Sequence, residues 1–311
     1  MRYPTDFNRL RSIVIFLIAT GLLVSGCSSS SKPKNSSHGT PAPLVKENNL
    51  DQPAAQQNAS PATVGIQPAE SAHFVRSLSP LTAHEIEFRQ SEIGRLPDYG
   101  RRLEQRRLLV RDFVARSQSL EAIKEIGRIV EEVEQQEGLD KAQRVALAEA
   151  NNLQINEYHA PAADAYELLI RKYPRGRFTA ESLMQIGICQ MNARKYDQAE
   201  KSWLRLVQEY DEAPEAPCGW RKLALAQLVQ GKFDESLATL DTMSAKYPDS
   251  EYADYALMRR GYVHMVAGDL PKAREQYNDF MLNCPQSKYC LLASQQLAML
   301  TDYTGAVQAT K

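Results

Sequence analysis

The chain has 311 residues, and its 37 Lys and Arg against 38 Asp and Glu leave a formal charge of −1. A charge so close to zero gives no support to nucleic-acid binding, which usually needs a basic excess. Hydrophobic residues make up 43% of the chain, as in soluble globular proteins. Only one apolar run, near the N-terminus, could enter a membrane, so composition excludes a protein with several membrane spans.

The first segment, 1–26, is typical of a secretory signal peptide. Three arginines precede the apolar run 13–24, and the small residues Ser25 and Gly26 come just before Cys27. The run holds about a dozen apolar residues, whereas a helix that spans a membrane needs about 20. A retained membrane span is therefore the weaker interpretation.

The residues at 24–27, Val-Ser-Gly-Cys, resemble the lipobox of bacterial lipoproteins. The resemblance implies cleavage after Gly26 and lipidation of Cys27 with several acyl chains, palmitate among them. Several chains anchor a protein stably, whereas one chain binds a membrane only marginally. Because Ser28 rather than Asp follows the cysteine, the resemblance implies an outer-membrane protein that faces the periplasm.

Residues 27–80 are predicted to be a lipidated cysteine followed by a disordered tether rich in Pro and Ser. The segment holds seven of the sixteen prolines and a single aromatic residue, Phe74. Such a composition cannot bury enough apolar surface to offset the entropy of ordering. A coil of this length has an end-to-end distance of about 40 Å.

The next region, 81–138, is predicted to be N-terminal helices, because helix formers dominate it and apolar residues recur at helical spacing. The predicted helices are 82–95, 98–116 and 118–137. The last of them carries an apolar stripe made of Ile123, Ile126, Val130 and Val133. Such a stripe is typical of a packed amphipathic helix, but it also permits a coiled coil, in which case the protein would be a self-assembling structural spacer.

A repeat of 37 residues is the strongest pattern in the chain. Three kinds of position recur at this spacing. The pairs that end each unit are Tyr173-Pro174, Tyr210-Asp211, Tyr247-Pro248 and Cys284-Pro285. Small residues fill two further columns, which are Ala150, Gly187, Ala224 and Gly261, and Ala162, Ala199, Ser236 and Ala273.

Each unit is predicted to hold two antiparallel helices that approach closely. A small residue such as Gly187 leaves room for the second helix, where Trp203, Leu240 or Tyr277 would pack back on the first. Turns are predicted at 193–195, 230–232 and 267–269, and in the last two Gly231 and Gly268 are available for a left-handed conformation. The prolines that follow the second helices end them.

The pattern Trp220-x2-Leu223-Ala224-x2-Gln227, with Ser236-x3-Leu240 and Pro248, resembles the tetratricopeptide repeat (TPR) family. The resemblance covers about 139–300, ends in a half repeat and leaves 301–311 as a flexible tail. It implies an all-α fold, a right-handed superhelical solenoid of helix-turn-helix repeats.

The 37-residue variant is similar to the repeats of two envelope families. One is the CpoB family, which coordinates the Tol-Pal system with septal wall synthesis in cell division, and the other is the BamD family of outer-membrane barrel assembly. The resemblance implies a membrane-anchored periplasmic scaffold for protein–protein interactions in envelope biogenesis. The long tether and the half repeat favour the Tol-Pal type, and the lipidated start favours the BamD type.

In TPR arrays the first helices of the units line a concave groove that binds peptides. The family's groove columns imply a candidate peptide-binding set in this chain, which is Met184, Ile188, Met191, Arg221, Leu225, Tyr255, Met258, Tyr262 and Met265. Methionine suits surfaces that accept varied apolar partners. The alternative is that these apolar residues are simply core.

The expected partners are envelope proteins or peptides and, through Cys27, the membrane, with no nucleic acid and no small-molecule substrate. The five histidines are dispersed, and the sequence has no CxxC, HExxH, GxSxG or phosphate-binding glycine loop. We therefore expect no enzyme activity, metal or cofactor.

Four cysteines besides Cys27 would lie in an oxidising compartment, where disulfides form. Cys284 and Cys290 are separated by five residues at a predicted helix–helix connection, so they form the candidate disulfide. For Cys189 and Cys218 a bridge is the weaker prediction, and buried free thiols are the alternative.

Overall fold

A computed structural model of the chain describes residues 78–248 and 250–309, with side chains as far as residue 301. The predicted signal peptide, Cys27 and nearly all of the predicted tether lie outside these residues. Within the described ranges the chain forms twelve helices and no strand. None of these helices is long and apolar enough to cross a membrane.

Every connection between successive helices is short. The helices are α1 Ala83–Gly94, α2 Tyr99–Ala115, α3 Ser119–Glu137, α4 Leu139–Ile155, α5 His159–Lys172, α6 Thr179–Asn192, α7 Tyr196–Glu209, α8 Ala216–Val229, α9 Phe233–Lys246, α10 Glu251–Ala267, α11 Leu270–Asn283 and α12 Cys290–Ala309.

Helices α1 to α3 agree with the predicted N-terminal helices to within two residues at each end. Thr82 and Glu85 form a capping box that starts α1, and Asp98 caps α2 by accepting a hydrogen bond from the Arg101 amide at 2.7 Å. The apolar stripe of α3 is buried inside the chain. The packed-helix interpretation of that stripe is therefore right, and the stripe is not available for a coiled coil between copies.

From α4 onward the helices form stacked pairs, and consecutive helices pack on one another throughout. The pairs are α4–α5, α6–α7, α8–α9 and α10–α11, with α12 as a half repeat. Contacts also join α6 to α8 and α8 to α10. We call α4, α6, α8, α10 and α12 the first-helix layer. This arrangement confirms the predicted all-α solenoid.

The small residues of the first-helix layer allow the two helices of each pair to approach closely. A Cβ atom on Gly187 would lie 2.3 Å from Nε1 of Trp203, and one on Gly261 would lie 2.7 Å from Cε1 of Tyr277. The indole N–H of Trp203 donates to the carbonyl oxygen of Met184 at 3.2 Å. Larger side chains at these glycines would force the helices apart, as the sequence predicts.

The turns inside the pairs share one left-handed residue at the repeat spacing. Gly231 and Gly268 have φ values of 77° and 87°, and the equivalent Glu157 and Arg194 have 64° and 59°. Glycine adopts this conformation without strain, whereas other residues do so at some cost. The predicted turn is thus confirmed, with glycine used in two of the four units.

The second helices end where prolines follow, as predicted at Pro174, Pro248 and Pro285. At the chain end, residues 301–309, which the sequence assigns to a tail, continue α12 as far as Ala309.

Candidate peptide-binding surface

Four residues of the predicted peptide-binding set lie in the core. Each is no more than 9% exposed, and the four are Met184, Tyr255, Met258 and Tyr262. Met184 belongs to the hydrophobic cluster of the earlier helices, and the other three belong to that of the later helices. For these residues the core alternative is right, because a partner in the groove could not reach them without moving the helices.

The other five residues of the set are half-buried and remain within reach of a partner. They are Ile188, Met191, Arg221, Leu225 and Met265. Two apolar residues of α12 extend the same columns, since Leu292 follows Tyr255 and Met299 follows Tyr262 by 37 residues. Leu292 is 38% exposed and Met299 is 58% exposed. Sequence reasoning missed both, although the repeat period would have found them.

Two neighbouring helices of the first-helix layer bring cations and tyrosines together. We call this set the cation–tyrosine cluster, and it consists of Arg221 and Lys222 on α8 with Tyr255, Arg259 and Tyr262 on α10. The guanidinium carbon of Arg221 lies 4.3 Å from the centre of the Tyr255 ring, and that of Arg259 lies 4.2 Å from the Tyr262 ring. Both distances are typical of cation–π contacts.

Arg259 is the most enclosed cation of the cluster. It is 9% exposed, and its Nη2 atom is buried without a hydrogen-bond partner. The buried hydroxyl of Tyr277 on α11 and Oε1 of Gln296 on α12 also have no partner among the described residues. Buried polar groups are normally paired, so unpaired ones need an explanation.

The positive charge of the cluster changes the acidity of its members. Burial acts to raise the pKa of the Tyr255 hydroxyl, but the charges of Arg259 and Arg221 outweigh it and hold the pKa below its ordinary value. Burial, and then the charge of Arg221, lower the pKa of the Lys222 ammonium. The Tyr255 shift shows that the neighbouring arginines stabilise a negative charge on that hydroxyl, whereas the Lys222 shift comes mainly from burial.

The first-helix layer is acidic in the preceding repeat. Burial, reinforced by the charge of Glu215, raises the pKa of Glu181 on α6. The charge of the layer therefore differs between repeats, with a carboxylate on α6 and cations on α8 and α10.

Arg259 and Lys222 were not among the predicted site residues. They occupy one column of the repeat, with Gln185 before them and Gln296 after them. A polar residue recurring every 37 residues within mostly apolar helices is a signal that the sequence carried. It is easily overlooked, because each residue alone is an ordinary polar side chain on an amphipathic helix.

The disulfide predicted between Cys284 and Cys290 is not formed, and both residues are free cysteines. The thiol of Cys290 donates instead to the backbone carbonyl of Cys284 at 3.0 Å. Cys189 is a buried free thiol, and burial raises its pKa to about 12. Among residues 78–248 and 250–301, no group of three or more His, Cys, Asp or Glu is placed to hold a metal ion.

Three solved structures illustrate the similarity to known folds. A Podosopora anserina protein with nearly identical TPR-like repeats is 16% identical, with 58% of this chain and 94% of that one covered and a TM-score of 0.42. A tetratricopeptide repeat protein from Parabacteroides merdae is 13% identical, with coverages of 70% and 85% and a TM-score of 0.36. Naa15/Naa10 bound to HypK is 15% identical, with coverages of 72% and 32% and a TM-score of 0.43.

No curated protein sequence matches this chain. Residues 124–306, more than half of the chain, match the tetratricopeptide repeat-like domain family. That range runs from α3 to α12 and includes every stacked pair described above. The chain therefore belongs to the tetratricopeptide repeat-like domain family.

Proposed function

We propose that the chain is a scaffold for protein–protein interactions in envelope biogenesis, anchored by lipid on Cys27 to the outer membrane and facing the periplasm. One observation carries the scaffold part of the proposal. The first-helix layer presents half-buried apolar residues beside the cation–tyrosine cluster, and it ends in exposed apolar residues on α12. A polypeptide segment with apolar and acidic side chains complements such a surface.

The favoured pathway is the coordination of the Tol-Pal system with septal wall synthesis. The long predicted tether and the half repeat at α12 support it. The alternative is a BamD-like component of outer-membrane protein assembly, which the lipobox-like sequence at Cys27 supports. A self-assembling spacer has lost its main support, because the stripe on α3 is buried.

Crosslinking in living cells, followed by purification of the chain and mass spectrometry, separates the two pathways. Tol-Pal or wall-synthesis proteins among the crosslinked partners would support the first, and barrel-assembly proteins would support the second. Recovery of neither class would count against the envelope role.

The membrane anchor is tested by Cys27→Ser with a matched Cys189→Ser control. We expect the native chain to sediment with outer membranes and to incorporate labelled palmitate. The Cys27→Ser variant should lose both properties, while Cys189→Ser keeps them. A Cys27→Ser chain that remained palmitoylated and membrane-bound would refute the anchor.

A further inference from the structure

The last helix, α12, presents a face that earlier repeats cover with their second helix. In the pair α10–α11, for example, the small residue Gly261 lies directly against the Tyr277 ring. The same column of the repeat reaches Ala298 in α12, where the residue is exposed. Because α12 continues as one helix to Ala309, the chain does not turn back there to form a second helix. This face of α12 therefore has no covering helix among the described residues.

The uncovered face of α12 is suited to contact with protein rather than with water. Residues 290–301 include no charged residue, although exposed helix faces and the ends of solenoids are normally polar and charged. Leu291 is 71% exposed. The hydroxyls of Ser294 and Thr301 donate to carbonyl oxygens of α12 itself at 2.9 and 3.0 Å. Covering the face would therefore leave neither hydroxyl without a hydrogen bond.

We propose that this face binds the same face of a second copy, so that two α12 helices pack antiparallel across a two-fold axis. Leu291 and Ala298 are seven residues apart and lie on one side of the helix. In an antiparallel pair, Leu291 of each copy packs over Ala298 of the other, which is the large-on-small contact that the repeats use internally. A two-fold interface requires such self-complementary contacts, formed twice. The lack of charge removes like-charge repulsion between the identical faces.

The dimer goes beyond the proposed function and does not rest on it. Leu292 and Met299, which extend the candidate peptide-binding columns, lie about a quarter of a turn around α12 from Leu291 and Ala298. A partner on the first-helix layer and a second copy on this face can therefore bind at the same time. Because the contact is isologous, it closes at two copies and does not continue into a filament.

The size of the face sets the expected strength of the dimer. Residues 291–301 form about three turns of helix, with a length of about 16 Å. A standard stable interface buries about 800 Å² per partner, which one short helix face does not reach. We therefore expect a dissociation constant in the micromolar range.

Sedimentation velocity of the purified full chain in reducing buffer, over about 1 to 100 μM, tests the pairing. The native chain should change from monomer to dimer over this range. Leu291→Ala removes the large side chain and Ala298→Leu removes the space for it. Each variant should weaken dimerisation about tenfold or more, because each change acts twice in a two-fold interface. The double variant exchanges the two roles and should return the dissociation constant to within about threefold of the native value.

Met299→Ala is the matched control, since Met299 is an exposed apolar residue of the same helix but lies outside the face. It should change the dissociation constant by less than about twofold. Thermal unfolding at low concentration checks the fold of every variant. The midpoints should stay near that of the native chain, because the substituted side chains are exposed in the monomer.

A native chain that stays monomeric up to about 100 μM would overturn the pairing and leave the face to another protein. Failure of the double variant to restore dimerisation, an equal loss in Met299→Ala, or assembly beyond a dimer would also overturn it. Partner capture in cells is a separate result. Leu291→Ala should capture the same envelope protein as the native chain, and if neither captures one, the proposed function fails while the dimer stands.

Discussion

Gly187 marks the closest approach between the two helices of its repeat. An added Cβ would lie 2.3 Å from the Trp203 indole, which is held by its hydrogen bond to Met184. We predict that Gly187→Ala lowers the free energy of unfolding by about 1 to 3 kcal/mol, because overpacking displaces a buried ring. Urea denaturation measures the change.

Gly127 in α3 is the control for this substitution. A Cβ there would meet only Cδ2 of Leu168 at 3.9 Å, an ordinary contact. Gly127→Ala should therefore stabilise the chain by about 0.5 to 1 kcal/mol through helix propensity alone. Similar effects at both glycines would contradict the close packing of α6 on α7.

The turn between α6 and α7 contains Arg194 at a left-handed φ of 59°, and its side chain is exposed. We predict that Arg194→Gly stabilises the chain by about 0.5 kcal/mol, because relief of backbone strain exceeds the added entropy of the unfolded state. The reverse change at the equivalent position, Gly231→Ala, should cost about 1 kcal/mol. Destabilisation by Arg194→Gly would show that the turn is not strained there.

Two methionines of the first-helix layer differ in exposure, one in the core and one at the surface. Met258 on α10 is 2% exposed, whereas Met299 on α12 is 58% exposed. Met258→Ser should cost at least about 2 kcal/mol of unfolding free energy, and Met299→Ser less than about 0.5 kcal/mol. Among variants that remain folded, Met299→Ser should weaken partner binding more than Met258→Ser does. Equal stability of the two variants would mean that the layer is open at Met258.

The repeat could be read from the sequence because close helix packing constrains the same columns in each unit. Gly187 with Trp203 and Gly261 with Tyr277 are two occurrences of one contact, and the prolines end the second helices for a local reason. The helix pairs and their turns follow from such nearest-neighbour rules. So do Leu292 and Met299, once the period is carried into α12.

The depth of the groove could not be read from the sequence. How far Tyr255 and Tyr262 are enclosed depends on how neighbouring repeats stack, and that is set by contacts between units rather than by any local pattern. The recurring polar column of Arg259 is visible in the sequence, but its burial is not, since that also depends on how the repeats stack. The free thiols of Cys284 and Cys290 likewise depend on side-chain direction, which sequence spacing leaves open.

At the scale of the whole molecule, we propose that a polypeptide partner binds along the first-helix layer. Photo-crosslinking residues placed in cells at Leu225 and Met299, compared with one at exposed Lys201 on α7, test this binding. We expect strong crosslinks to the same envelope protein from Leu225 and Met299 and none to that protein from Lys201. Crosslinks to that protein from Lys201 alone would contradict it.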